Sequence, residues 1–170
     1  DKYGNLNTSF LGTPPAAQRI TAAGGAPEFY AYAKETILTM KGKGFVEKLP
    51  YMTSPGYLGG GDEREKSGRY TPGSGPSILI TPKGIFKFHP ETREMYLDAL
   101  FPGVGVDEVR ADIPWDLKIA DPLGSFPVPQ DEEIVFLRRL SPVSSFSNTT
   151  GKELAMAHIR KQMEEKAAGR

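Results

Sequence analysis

The stretch from Arg19 to Ala33 reads RITAAGGAPEFYAYA and is predicted to lead from a strand into a helix. Every residue from Thr21 to Ala26 is small, so side chains there neither block a ligand nor cover the backbone. Pro27 suits the first helical position, where its missing N–H costs nothing. The loop thus ends at a helix N-terminus and can receive an anion, or an oxygen that becomes anionic during a reaction. A tight turn that needs small residues only for packing is the alternative interpretation.

The composition is that of an ordinary soluble domain. The chain has 170 residues, and its 21 Lys and Arg residues balance 21 Asp and Glu residues. This balance gives no indication of nucleic acid or a membrane as a partner. The absence of Cys excludes thiolate catalysis, disulfides and Cys-ligated metals, and fits a reducing compartment. No signal peptide and no apolar run of about 20 residues is visible. We therefore expect a cytoplasmic protein.

Elements around the small-residue loop follow from hydrophobic periodicity. A turn at Gly4-Asn5 predicts a strand near Leu6 to Leu11. After the loop, the pattern predicts a helix from Pro27 to about Lys34 and a buried strand over Thr36–Met40. Phe45–Leu49 is a further strand candidate. From Pro50 to Pro76 the sequence shows no sustained hydrophobic periodicity, which is typical of a functional or a disordered loop.

The second half of the chain predicts more strands and a change of pattern. Ser77–Thr81 is suited to a fully buried strand. Ile85–Phe88 and Met95–Phe101 alternate with period two and are joined by a hairpin loop. A short helix is expected near Val106 to Asp112, before Pro114. The fold class predicted is α/β, with an open mixed, largely parallel sheet and flanking helices.

The C-terminal part is predicted to be peripheral. A helix is expected from Asp131 to Leu140, with acids in its first turn and arginines in its last. A Ser/Asn/Thr-rich linker then leads to a last helix that starts at Thr150. We therefore predict an α/β domain over residues 1–140 and a linker with a peripheral helix over residues 141–170.

Familiar catalytic constellations are scarce. His89 and His158 are the two histidines, and they are interpreted as a turn residue and a surface residue. They are too few and too poorly placed for a metal site or a Ser-His-Asp triad, and no metal is expected. No nucleophile elbow, Walker loop or dinucleotide fingerprint is present.

Several linked segments of the sequence form one pattern. They are Asp1–Asn7, Ala22–Ala26, Phe45–Lys48, Thr53–Tyr57, Ile80–Phe86, Pro102–Val104 and Glu108-Val109. Together they resemble the β subunit of class I coenzyme A (CoA) transferases of the glutaconate CoA-transferase type, and the likeness runs in order from residue 1 to about residue 140. The resemblance implies an open α/β fold shared by the α and β subunits of a heteromeric enzyme. It also implies CoA as a substrate, with no permanently bound cofactor.

The resemblance implies a reaction in which CoA moves from an acyl-CoA to a short mono- or dicarboxylic acid. A glutamate carboxylate attacks the thioester and a glutamyl-CoA intermediate follows. The backbone N–H of Gly25 is implied as an oxyanion donor. Contacts with substrate or CoA are implied for Asn5, Gly24, Gly25, Ala26, Glu28, Ser54 and Gly56. For Glu28, an ordinary first-turn acid is the alternative interpretation.

The nucleophilic glutamate is expected to lie before the Tyr3-Gly4-Asn5 segment, outside this chain. Since the sequence opens inside a turn, we expect an N-terminal part of the β subunit to be missing. The chain alone is then expected to be inactive without that part and an α subunit. Two alternatives stay open: an acyl-CoA hydrolase or carbon–carbon lyase on the same scaffold, and a non-catalytic structural subunit.

Overall fold

The computed structural model describes residues 1–12, 15–41 and 44–140. The chain divides into two units, Asp1–Pro127 and Val128–Arg170, which are described separately. The predicted division after residue 140 stays a prediction. In chain order the elements are β1 (Phe10–Leu11), β2 (Gln18–Arg19), α1 (Ala26–Tyr32), β3 (Glu35–Thr39), α2 (Glu63–Lys66), β4 (Gly75–Ile80), β5 (Gly84–Phe88), β6 (Met95–Leu100), α3 (Val106–Arg110), β7 (Lys118–Ser125) and α4 (Asp131–Leu140).

An open five-stranded sheet, in the order β3-β4-β5-β6-β7, organises the first unit. The outer pairings β3–β4 and β6–β7 are parallel, whereas β4–β5 and β5–β6 are antiparallel. The hairpin predicted between residues 85 and 101 is the β5–β6 pair. The α/β fold with an open mixed sheet is thereby confirmed. A separate two-stranded sheet joins β1 to β2.

The hydrophobic core lies on one face of the sheet. Along β6, Met95, Leu97 and Ala99 are buried, while the residues between them are half-buried. Phe86 on β5 and Leu79 on β4 continue this buried face. Helices cover it, since Tyr30 of α1 and Val109 of α3 belong to the same cluster. The period-two pattern of the sequence therefore identified the inward positions correctly.

Two sequence-based predictions of strands differ from the structure in position, and the strand predicted as buried over Thr36–Met40 is the edge strand β3, in which only Leu38 is buried. Residues 45–49 form no strand. Instead, the Phe45 ring packs on Phe86 and on Trp115, with both centroid distances at 5.6 Å. Leu6–Leu11 is a strand only at Phe10–Leu11, and Leu6 forms an isolated bridge with Ser54. The apolar residues in these stretches form single packing or bridge contacts rather than a continuous row of strand hydrogen bonds.

Strand β7 was missed because it contains Pro122 and Gly124, which usually interrupt strands. An edge position tolerates both, and the pairing with β6 shifts register between Leu97 and Ala99. In the second unit, α4 confirms the helix predicted for Asp131–Leu140. The helix predicted to start at Thr150 lies outside the described residues.

Candidate functional site

The small-residue loop is fastened by its neighbour in the chain. Strand β2 pairs with β1 through Phe10–Arg19 and Leu11–Gln18. Beyond the strand, the Ile20 N–H donates to the Ser9 carbonyl and the Ala22 N–H donates to the Thr8 carbonyl, both at 2.8 Å. The entry to the loop is therefore fixed by hydrogen bonds to the segment Thr8-Ser9.

The loop backbone adopts conformations that its sequence does not favour throughout. Gly24 has a φ of +54°, which glycine adopts without a steric penalty. Ala22 has a φ of +83°, where a Cβ atom is strained by about 1–3 kcal/mol. The Ala22 N–H bond to Thr8 holds this residue in place. Strain of this kind is concentrated at functional sites, so Ala22 marks the loop as a candidate.

The loop presents free donors to solvent. Gly24 and Gly25 are exposed, and within the described part of the chain their N–H groups have no hydrogen-bond partner. The Ala26 N–H bonds the Ala23 carbonyl at 3.2 Å, and α1 starts at Ala26 rather than at the predicted Pro27. Successive backbone N–H groups in a turn form concavities that bind anions. The two exposed N–H groups of Gly24 and Gly25 are therefore candidate donors for such an anion.

Glu28 lies in the first turn of α1, next to this loop. Its side chain is exposed and makes no hydrogen bond or ion pair with the residues that the structure describes. A ligand could reach it, but the ordinary first-turn acid explains its position equally well.

Asn5 is the centre of a buried network at the other end of the segment Gly4–Ser9. The side chain is 1% exposed. Its Nδ2 donates to the Asp1 carboxylate (3.1 and 3.0 Å) and to the Leu58 carbonyl (2.7 Å). Its Oδ1 accepts the N–H groups of Gly56 (2.8 Å) and Leu58 (3.1 Å). Both ends of the Asn5 amide are thus hydrogen-bonded within the protein, and these bonds satisfy buried backbone groups.

Ser54 and Gly56 are buried beside Asn5 and its neighbour Leu6. Ser54 is fully buried, and its backbone pairs with Leu6 in both directions, at 2.9 and 3.1 Å. Gly56 is buried against the backbone of residues 3 and 4, so an added Cβ would lie 2.5 Å from the Tyr3 oxygen. The structure thus brings Asn5, Ser54 and Gly56 together as a buried support. Their predicted contacts with CoA remain predictions, and in this conformation no ligand reaches the two side chains.

Arg64 lies in the charged run Glu63–Lys66, yet its side chain is buried. Its Nη1 donates to the carbonyls of Pro55 (2.9 Å) and Gly56 (2.8 Å). Its Nη2 donates to the carbonyl of Tyr30 and to Ser74 Oγ. The guanidinium also lies 4.1 Å from the centre of the Tyr70 ring. Burial lowers the pKa of Arg64, but the guanidinium stays charged at neutral pH.

Arg64 therefore joins helix α1 to the segment that holds Asn5. The sequence carried no signal for this role, because the neighbours Glu63, Glu65 and Lys66 are all exposed. A single buried residue in a charged four-residue helix has no recognisable period. The same holds for Thr8 and Thr53, which connect the buried network to the loop.

Other parts of the described chain offer fewer site features. His89 Nδ1 accepts the N–H groups of Glu91 and Thr92, which confirms its role as a turn residue. His158 lies outside the described residues. Among the described residues, no group of three or more His, Cys, Asp or Glu side chains is placed to hold a metal ion. No helix in those ranges has the length and apolar character needed to cross a membrane.

Comparison with known proteins gives consistent sequence matches. The chain is 34% identical over 143 residues to the B subunit of 3-oxoadipate CoA-transferase from Pseudomonas knackmussii, covering 82% of this chain and 54% of that protein. It is 36% identical over 123 residues to the B subunit of glutaconate CoA-transferase from Acidaminococcus fermentans, covering 71% of this chain and 46% of that protein. The chain thus spans about half the length of the curated relatives it matches.

Solved structures agree with these matches. The crystal structure of glutaconate coenzyme A-transferase from Acidaminococcus fermentans superposes with a TM-score of 0.72 at 32% identity, covering 81% of this chain and 53% of that one. Rhodococcus jostii RHA1 IpdAB gives a TM-score of 0.67, covering 85% and 58%. At 21% identity, this second likeness shows the fold alone.

The family model described as Coenzyme A transferase matches residues 1–112, which is more than half of the chain. That match covers the exposed Gly24-Gly25 loop, the buried network around Asn5 and most of the sheet. The chain belongs to the coenzyme A transferase family.

Proposed function

We propose that this chain is part of a heteromeric coenzyme A transferase, as a portion of its β subunit, and that the enzyme moves CoA from an acyl-CoA to a free carboxylic acid. The observation that carries the proposal is the exposed pair of free N–H groups at Gly24 and Gly25 in a chain of this family. The similarity to the B subunits of two CoA-transferases supports it.

The loop would act on the tetrahedral intermediate. When a carboxylate attacks the thioester carbon, negative charge develops on the carbonyl oxygen. The N–H groups of Gly24 and Gly25 would donate to that oxygen. Donors that are already oriented stabilise such charge without reorganisation, and one of them contributes about 10²–10³ in kcat.

The attacking group would be a glutamate supplied by a part of the enzyme outside these 170 residues. Its carboxylate displaces the CoA thiolate from the acyl group and forms a mixed anhydride. The thiolate then attacks the glutamyl carbonyl, which releases the first acid and leaves a glutamyl-CoA thioester. The acceptor acid reverses these two steps. An α subunit would complete the site, so the isolated chain would be inactive, and CoA would be a substrate rather than a resident cofactor.

The predicted contact residues divide by accessibility. Gly24, Gly25, Ala26 and the exposed Glu28 would lie beside substrate or CoA. Asn5, Ser54 and Gly56 would act from the interior, because their groups are buried in protein contacts. The two relatives that the chain resembles are named for 3-oxoadipate and glutaconate, both of which are dicarboxylates. We therefore favour a short dicarboxylate over a monocarboxylate as the acid.

Isotope exchange in the complete enzyme tests this proposal. Labelled acid should enter the acyl-CoA pool with ping-pong kinetics, and hydroxylamine or borohydride should trap a glutamyl-CoA adduct. Dicarboxylates should be better acceptors than monocarboxylates of the same length. If acyl-CoA is consumed at full rate without any acceptor acid, the enzyme is a hydrolase or a lyase. If neither exchange nor consumption occurs, the structural-subunit alternative holds.

A matched pair of variants at Gly25 tests the oxyanion role. Gly25→Pro removes the N–H, whereas Gly25→Ala keeps it; the φ of −87° suits alanine and lies just outside the usual range of proline, so the fold of the proline variant is checked by melting. An alanine Cβ would lie 3.4 Å from the Phe29 ring, an ordinary contact. We expect G25P to lower kcat about 10²–10³-fold and G25A to change it little. Equal kcat values in the two variants, with thermal melting showing both folded, would count against the Gly25 donor.

A further inference from the structure

We propose that Thr53 is a positioning residue whose hydroxyl sets the orientation of the Gly24-Gly25 loop. This proposal rests on the proposed function, since the loop must act on the substrate for the orientation to matter. Thr53 belongs to the stretch Thr53–Tyr57, but neither composition nor motif singled out its side chain.

The Thr53 hydroxyl forms hydrogen bonds with two consecutive residues. Its Oγ1 accepts the backbone N–H of Thr8 at 3.0 Å and donates to Ser9 Oγ at 2.9 Å. The backbone N–H of Thr53 bonds the Leu6 carbonyl at 2.8 Å, which fixes the threonine itself. One side chain therefore bonds both residues of the segment Thr8-Ser9, which is also held by the bond from the Ser9 N–H to Asn7 Oδ1 at 3.1 Å.

The same two residues carry the loop on their other side. The Thr8 carbonyl accepts the N–H of Ala22 and the Ser9 carbonyl accepts the N–H of Ile20. Ala22 is held at a φ of +83°, a conformation that persists only when its surroundings impose it. The described residues show a continuous chain of hydrogen bonds from Thr53 through Thr8 to Ala22, two residues before Gly24.

Within the described chain, neither the Thr8 N–H nor the Ser9 hydroxyl has a second hydrogen-bond partner. Thr8 Oγ1 is itself buried without a partner among the described residues. If Thr53 loses its hydroxyl, the Thr8 N–H and the Ser9 hydroxyl each lose a partner. The segment is then expected to move, because Ser9 is buried and leaving its hydroxyl unpaired is costly. Release of Thr8 would allow Ala22 to leave its strained conformation and would turn the N–H groups of Gly24 and Gly25.

Thr53→Val is the test variant, because valine keeps the shape and removes the hydroxyl. Thr53→Ser restores the hydroxyl. Thr81→Val is the matched control, since Thr81 Oγ1 makes similar bonds to Lys83 and Gly84 in the β4–β5 turn. Ser9→Ala removes one of the two partners and serves if T53V does not fold.

Amide hydrogen exchange in the full chain gives the first readout. We expect T53V to speed exchange of the Ala22 N–H about three- to tenfold relative to Phe86, an amide in the centre of the sheet. T53S should restore the parent rate, and T81V should leave the ratio unchanged. An unchanged ratio in T53V would overturn the positioning role, and this result does not depend on any catalysis.

Steady-state kinetics of the assembled enzyme give the second readout. A donor that acts only on the transition state affects kcat more than KM. T53V should therefore lower kcat about tenfold with KM for acyl-CoA nearly unchanged, and T53S should rescue it. Faster Ala22 exchange with an unchanged kcat would also overturn the proposal. A parent enzyme without thioester exchange would instead count against the proposed function.

Discussion

The loop around Gly24 and the network around Asn5 lie at the two ends of one short segment, Gly4–Ser9. They differ in exposure, in backbone strain and in how their polar groups are hydrogen-bonded. The loop is exposed, contains a strained Ala22 and leaves two N–H groups without protein partners in the described chain. The network is buried, and every polar group of the Asn5 side chain is bonded.

This difference separates two tasks that the sequence alone does not distinguish. Unpaired N–H donors can act only where a ligand can accept their hydrogen bonds, and they need a rigid support to stay oriented. The buried network supplies that base, so its polar residues can matter for the site without touching a ligand. Four changes would break or sharpen this comparison.

The largest effect is expected for Gly56→Ala, which breaks the network. The added Cβ would lie 2.5 Å from backbone atoms of Tyr3 and Gly4, which have no room to move aside. We expect a loss of about 3–5 kcal/mol in the free energy of unfolding, measured by urea denaturation. Gly24→Ala is the comparison, because its Cβ meets open space and only its positive φ costs about 1–2 kcal/mol. Equal losses in both variants would contradict the close approach at Gly56.

Arg64→Met is expected to cost about 2–4 kcal/mol. It leaves the carbonyls of Pro55, Gly56 and Tyr30 without their donor. Arg64→Lys should be nearly as unstable, because an ammonium group cannot bridge these acceptors as the planar guanidinium does. The midpoints of urea unfolding measure both variants. Full stability of the lysine variant would show that charge alone, and not the fork, holds the network.

The tyrosines beside the network predict a loss of stability at alkaline pH. Burial raises the pKa of Tyr30 and of Tyr57, whereas tyrosine in the unfolded chain ionises near pH 10. Their contribution is therefore complete below about pH 10 and is lost as the pH rises further. One such group changes the slope of the unfolding free energy by at most about 1.4 kcal/mol per pH unit. Tyr57→Phe should make that slope shallower between about pH 10 and 11, by no more than this limit, and an unchanged slope would contradict the burial of this phenol.

The smallest effect is expected for Ala22→Gly, which sharpens the comparison from the loop side. Glycine relieves the strain at φ +83° but loses more backbone entropy on folding. We expect a net gain of about 0.5–1 kcal/mol in the free energy of unfolding, measured by thermal or urea unfolding. Ala23→Gly, at the adjacent position without a positive φ, should give no gain. Destabilisation by A22G would show that Ala22 is not strained.

The sequence predicted the central strands and α4 because their patterns are regular. Met95, Leu97 and Ala99 alternate, and the acids at the start of α4 match a helix N-terminus. It failed where structure depends on single contacts: Phe45 packs as one ring, and β7 tolerates Pro122 only because it is an edge strand. The local sequence pattern predicts neither a single ring contact nor the position of a strand at the edge of a sheet.

For the candidate site, the sequence predicted which residues belong to it but not which of them are buried. The resemblance selected Asn5, Ser54 and Gly56 together with Gly24 and Gly25, and the structure does group the first three. Their burial follows from long-range contacts between residues 3–9 and 53–58, which no local pattern encodes. Arg64 and Thr53 escaped notice for the same reason, since each acts across more than thirty residues of sequence.

The buried guanidinium of Arg64 donates to carbonyl and hydroxyl oxygens and lies over an aromatic ring, and in the described part of the chain it forms no salt bridge with a carboxylate. Carbonyl and hydroxyl acceptors do not titrate in the range where carboxylates and histidines change charge, so the hydrogen bonds of this attachment of α1 persist through that range. An acid-side or neutral inflection in the pH–rate profile of the assembled enzyme would then report on the reacting groups, and not on the loosening of this attachment.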